Sequence, residues 1–205
     1  ISTILMTVIP AKVAGVKNIS ISSPTIGSSL PNNMLLAAAY LCGVENFYTY
    51  GGPQAIASLA FGTKNVSKVD MICGPGNIFV MTAKKLVYGE VGVDGIFGPT
   101  ETLIIADSSS NIDYVVGDLM AQAEHDVLAL PMMITDDLEF ANKVISFYKN
   151  KLEKMERKNI IEKSMGRGFI SVLRNEKEII ELANQLASEH LSIASEKKVQ
   201  IAEKI

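Results

Sequence analysis

Residues 69–87 read VDMICGPGNIFVMTAKKLV, and this stretch decides the fold. Val69–Cys73 is a short apolar run suited to a strand, Gly74-Pro75-Gly76-Asn77 is a tight turn, and Ile78–Val87 has helical spacing. The same order appears just upstream, where Phe47–Tyr50 reads as a strand, Gly51-Gly52 as a turn, and Pro53–Ala60 as a helix stopping at Gly62. Strand, glycine turn, helix, repeated, is the pattern of a parallel sheet with crossover helices.

Further toward the start, Ser2–Ala14 places Leu5, Val8, Ile9 and Val13 on one side of a helix, with Pro10 as a kink and Gly15 closing it. Lys17–Ser22 reads as a strand, and Pro31 falls in the first turn of a helix carrying Met34–Cys42, capped by Gly43. Downstream, five glycine or proline positions within Gly89–Pro99 mark a domain crossing. The pattern then resumes. Thr102–Ala106 is a strand, Asp107–Asn111 a polar loop, Ile112–Glu124 a helix and Leu128–Thr135 a strand. Asp137 to about Lys158 reads as one long charged helix, Phe169–Leu173 as a strand, and Asn175–Ala187 as a helix with Asn175 as N-cap. After it comes a polar segment with no closing element. The expected class is α/β: two incomplete Rossmann-like parallel-sheet units packed with helices, over residues 1–99 and 100–205.

Composition narrows the function classes. With 19 basic and 22 acidic residues the chain carries a formal charge of −3, and 48% of its 205 residues are hydrophobic. That balance excludes disorder and offers no clustered positive surface for nucleic acid. Lys151–Lys158, interrupted by Glu153 and Glu156, reads as a solvated helix face. The longest apolar run, Met34–Cys42, is far short of the ~20 residues that span a bilayer. Cys42 and Cys73 make no disulfide framework and are expected as two buried, inert thiols. No signal-peptide pattern stands at the start, so a reducing cytoplasm is expected. Helical spacing already under way at Ile1 suggests a piece of a longer protein.

The chemistry-bearing residues are few. The two histidines are His125, in Gln122-Ala123-Glu124-His125-Asp126, and His190, in Ser188-Glu189-His190-Leu191. Each reads either as a structural cap on a helix carbonyl end or as a functional imidazole. That each follows a glutamate, in a chain with no other imidazole, favours function. Gln122 and His125, three residues apart, are suited to offer one oxygen and one nitrogen to a metal, with Glu124 and Asp126 placed to orient the imidazole. Two donors do not complete a zinc site. Glu189-His190 reads equally as an acid–base pair and as a polar surface turn. Gly74–Asn77 and Gly51–Gln54 read as ligand turns leading into helices, whose first N–H groups are open to a phosphate or carbonyl, or as plain turns. The first is not the dinucleotide fingerprint, because Phe79 stands where the third glycine belongs.

Taken in order, Met6–Val16, Gly51-Gly52-Pro53-Gln54-Ala55-Ile56-Ala57, Gly74–Asn77, Gly98-Pro99-Thr100-Glu101, Gln122–Asp126 and Ser188–Leu191 resemble the histidinol dehydrogenase family along essentially the whole chain. The resemblance implies a zinc-dependent, NAD-linked enzyme that oxidises L-histidinol through L-histidinaldehyde to L-histidine. It implies Gln122 and His125 as zinc ligands that also meet the substrate, one zinc per subunit, with an Asp and a His beyond Ile205 completing the set. That last His is supplied by the other subunit of a homodimer. It further implies Glu189 and His190 as the catalytic pair, which also meets the substrate. Gln54 and Asn77 are implied as NAD contacts, and Thr100 as the substrate contact that is Ser in the family pattern. Thr keeps that hydroxyl and adds a methyl; Pro53 replaces a usual Ala. The first unit is then the cofactor side, and the second the metal and acid–base side. A metal-dependent hydrolase and a folded but inactive segment are the rival readings.

Overall fold

The computed structural model describes residues 1–25 and 30–205. These divide into two compact units, Ile1–Gly98 and Pro99–Ile205.

In the first unit, α1 (Ser2–Val13) is followed by β1 (Ser20–Ser22), α2 (Asn33–Leu41), β2 (Asn46–Tyr48) and α3 (Gly52–Phe61). Then come β3 (Met71–Ile72), α4 (Ile78–Leu86) and β4 (Gly92–Val93). Strand β1 pairs in parallel with β2, and β3 with β4. One apolar cluster joins Ile4 and Val8 of α1 to Ala38 of α2. A larger one packs Ile56, Leu59 and Ala60 of α3 against Ile72, Val87 and Val91. The strands are shorter than their apolar runs, and the glycine-rich crossing contains β4. Pro31 lies outside α2, whose N-cap is Asn32, accepting from the Met34 N–H at 2.8 Å. Pro10 sits within α1, and the helix continues past it to Val13.

The second unit holds β5 (Glu101–Ile105), α5 (Ile112–Ala123), β6 (Leu130–Thr135), α6 (Leu138–Leu152) and α7 (Lys158–Met165). It continues with β7 (Phe169–Val172), α8 (Glu176–Leu186), β8 (His190–Ile193) and α9 (Lys198–Ala202). All four strands are parallel, in the order β7-β6-β5-β8. Helices α5, α6 and α7 bury Val116, Leu119, Val144 and Ile161 against Ile104 and Met133 on one face. On the other face α8 and α9 bury Ile179, Ala183 and Ile201 against Leu103, Ile105 and Ile134. Both faces covered is what a parallel sheet requires.

Three expectations fail here, each for a physical reason. The long charged helix is two, α6 and α7, because the charges of 153–157 fall in the turn between them, where Lys158 Nζ bonds Glu153 at 2.7 Å. The segment after Ala187 is a fourth strand and a short helix: Leu191 and Ile193 flank β5, a pairing invisible to local periodicity. Ala187 ends α8 in the left-handed conformation (φ 43°), turning the chain into β8. The thiols are also more open than expected. Cys42 is half-buried and Cys73 exposed, both free, and burial followed by the nearby Asp94 pushes the Cys73 thiol up against the pull of Lys84.

One core atom lacks a partner among the described residues. The Thr102 hydroxyl is buried on β5, with Thr102 1% exposed, and no hydrogen bond reaches it. Leaving a buried hydroxyl unpaired is unfavourable, whereas an apolar replacement of equal shape carries no such cost. Thr102→Val is therefore expected to raise unfolding stability by about 1 kcal/mol in urea titration.

Candidate functional site

In the first unit, both glycine turns lie at the carboxyl ends of parallel strands. Gly51 is the N-cap of α3, and Gln54 falls in its first turn, with its Oε1 folded back toward Gly52. In the second turn Gly74 has φ +124°, and a Cβ on Gly76 would lie 2.4 Å from Val80 Cγ1, so the chain there needs glycine. The helix N-terminus is not open as expected. Asn77 Oδ1 accepts from the Phe79 and Val80 N–H groups, both at 3.1 Å. What Asn77 retains for a ligand is its side-chain NH2.

Beneath this turn lies a feature that sequence reading missed. Lys84 of α4 is completely buried, its Nζ donating to the Gly74 carbonyl at 3.0 Å and pairing closely with Asp94. The other Asp94 oxygen accepts from the Gly74 N–H at 2.7 Å. One ion pair thus grips both polar groups of Gly74. Phe97 adds a ring 5.8 Å from the ammonium. The signal was present: Lys84 sits three residues after buried Met81 on the apolar side of α4, where a lysine requires a carboxylate partner.

In the second unit, the site residues gather at the amino ends of the strands. Thr100, half-buried just before β5, accepts from the Leu130 N–H at 2.9 Å through its carbonyl. His190 opens β8 and pairs in register with Thr102, rather than sitting in a turn. Its Nε2 is 3.9 Å from Glu189 Oε1, with both side chains about half exposed. That is too long for a direct hydrogen bond and suits a bridging water. Gln122 is half-buried in the last turn of α5, and His125 is exposed just beyond it, its N–H reaching the Gln122 carbonyl at 3.3 Å. The carboxylates expected to orient His125 do not hydrogen-bond its imidazole among the described residues. Glu124 is the C-cap of α5, and Asp126 Oδ1 accepts from the Leu128 N–H at 2.8 Å.

Topology brings α5 and β8 together at this end. In a parallel crossover, α5 must run back from the carboxyl end of β5 to the amino end of β6. Ser192, two residues after His190 on the same sheet face, donates to Asp118 Oδ2 at 2.9 Å, and Asp118 lies one turn before Gln122. Moving from that bond toward the strand starts covers about 6.6 Å to His190 and about 6 Å to Gln122, so the two come level on one face.

The opposite, carboxyl end of the second sheet would be the usual ligand crevice, at the switch point between β5 and β8. It is filled by the chain itself. Asp107 accepts hydrogen bonds from Ser109 and from buried Ser195, and Ser109 Oγ accepts from the Glu196 N–H at 3.0 Å. Burial pushes the Asp107 carboxyl up, but these hydroxyls and Lys197 outweigh it and hold it below its ordinary range.

The described residues contain no cluster of three or more His, Cys, Asp or Glu side chains fit for a metal. Gln122 and His125 carry an oxygen and a nitrogen of the kinds zinc accepts, two where a closed zinc site takes four. No described helix is long and apolar enough to cross a membrane.

Parallel strands under crossover helices, glycine turns entering helices, and an imidazole beside a glutamate define a two-unit α/β protein of Rossmann-like build. The sequence profile of the histidinol dehydrogenase family matches residues 1–205. The chain belongs to that family. It is 50% identical over 193 residues to histidinol dehydrogenase of Dehalococcoides mccartyi, covering 94% of this chain and 44% of that protein. The corresponding protein of Hydrogenovibrio crunogenus is 45% identical over all 205 residues, which cover 47% of it. The crystal structure of histidinol dehydrogenase from Elizabethkingia anophelis matches with a TM-score of 0.93 at 36% identity, over 100% of this chain and 47% of that one. The chain thus spans about half the length of these relatives.

The clamp on Gly74 has a pH signature. Burial pushes the Asp94 carboxyl up, but bonds from Lys84 and from the Gly74 and Gly95 N–H groups outweigh it and lower its pKa. A carboxyl lowered on folding contributes stability that is full above the ordinary Asp range, about 3.9, and lost as pH falls through the folded value. Urea unfolding followed as pH is lowered from about 6 is expected to show this loss setting in below the ordinary Asp value. Asp94→Asn is expected to flatten that part of the curve and cost roughly 3 kcal/mol at neutral pH, because it strands a buried ammonium.

Proposed function

We propose that the protein oxidises L-histidinol through L-histidinaldehyde to L-histidine, with NAD as acceptor and one zinc per subunit. The observation that carries this is the Ser192–Asp118 bond, which joins the two elements that bear His190 and Gln122, in a chain of this family. When bound, NAD supplies the hydride acceptor and zinc a Lewis acid that orients the substrate.

The chain's own residues do the rest. The His190 imidazole takes the hydroxyl proton as the alcohol is oxidised. Glu189, within reach of a shared water, activates that water for addition to the aldehyde, setting up the second oxidation. Thr100 offers a hydroxyl to the substrate. Gln122 and His125 hold zinc as half of its donor set. The remaining Asp and His come from outside these 205 residues, the His from the second subunit of a homodimer. Gln54 and the free Asn77 amide contact NAD, so the first unit serves the cofactor and the second the metal and proton transfers. The cytoplasm suits both free thiols.

The test uses the full chain with zinc, NAD and L-histidinol, following NADH by absorbance. Two NADH per histidinol are expected. His190→Asn is expected to lower kcat on the order of 10²-fold or more. Glu189→Gln should leave the first oxidation faster than the second, releasing aldehyde. Absence of NADH, with hydrolysis of an added ester or amide instead, would establish the hydrolase in its place.

A further inference from the structure

Asp118 is the one acidic residue on the packed side of α5, among the buried Val115, Val116, Leu119, Met120 and Ala123. A half-buried carboxylate in a helix–sheet interface is unfavourable unless it is hydrogen-bonded. Its partner is the Ser192 hydroxyl, at 2.9 Å. The pair joins residues 74 positions apart in sequence, on the two elements that carry Gln122 and His190.

Apolar burial does not by itself set how far α5 slides along the sheet, because it is non-directional. A hydrogen bond to a charged acceptor is directional, and among side-chain bonds it is of the stronger kind. We propose that the Ser192–Asp118 bond is a positioning contact, fixing the axial register of α5 on β8 and hence the level of Gln122 against His190. Asp118 and Ser192 touch no reacting atom in this role. They act through the residues one turn and two residues away. The proposal rests on the dehydrogenase reading above.

Threonine and valine at position 192 separate hydroxyl from shape, since both are β-branched, suit a strand, and differ only in the oxygen. In the full chain with zinc, NAD and L-histidinol, Ser192→Thr is expected to keep kcat within about twofold, and Ser192→Val to lower it about tenfold, the size seen when supporting contacts around a site are lost. The KM for NAD is expected to stay constant in both, because the NAD contacts lie in the other unit. Thermal unfolding of the same samples is expected to show both variants fully folded at the assay temperature, with the Val midpoint lower because Asp118 loses its partner. Asp118→Asn, which keeps the shape and one acceptor oxygen, is expected to fall between them, and it carries the comparison if the valine variant does not fold. Equal kcat in the Thr and Val variants, with an active unaltered chain, overturns the positioning role alone. A loss that tracks unfolding rather than kcat at full fold also overturns it. No NADH from the unaltered chain overturns the dehydrogenase reading and the positioning role with it.

Discussion

Two parallel strands can be joined only by a segment that returns the chain to the end where it started, and here that segment is α5. The rest of the second unit follows from this constraint. It carries Gln122 and His125 to the amino end of the sheet, the same end at which β8 begins with His190. With β8 beside β5 rather than beyond β7, the strand that bears His190 lies next to the one whose crossover bears Gln122 and His125. The switch point this order creates is occupied by Asp107, Ser109 and Ser195, which lace the two carboxyl ends together. The proposed chemistry therefore sits at the opposite edge from the one open α/β sheets ordinarily use.

The first unit places its glycine turns at the carboxyl ends of its strands. Its peculiarity is what holds one turn in shape. A buried ammonium and a carboxylate fasten the N–H and C=O of Gly74, a residue whose φ of +124° most side chains avoid. Breaking such a pair leaves one buried charge without its partner, so the turn and the pair are kept together.

Much of the architecture was legible from local pattern. Glycine turns between apolar runs and helical stretches mark parallel units, and Asn175 caps α8 through a 3.1 Å bond to the Glu178 N–H as its sequence position implies. What local pattern could not reveal was long-range. β8 is a strand because β5 offers it an edge, and its alternation of Leu191 and Ile193 with His190 and Ser192 is too short to stand out. The break between α6 and α7 hides in a run of charges that suits helix and turn alike. Likewise the identities of Gln122, His125, Glu189 and His190 were visible as residues with chemistry. Their common edge depends on strand order, and the Lys84–Asp94 and Asp118–Ser192 contacts depend on packing between distant segments.

The most direct test is a crystal structure of the full chain grown with L-histidinol. The account predicts the ligand at the amino end of β5 and β8, beside His190 and on the α5 face of the sheet. Ligand bound instead at the carboxyl ends, displacing the hydrogen bonds among Asp107, Ser109 and Ser195, would contradict it.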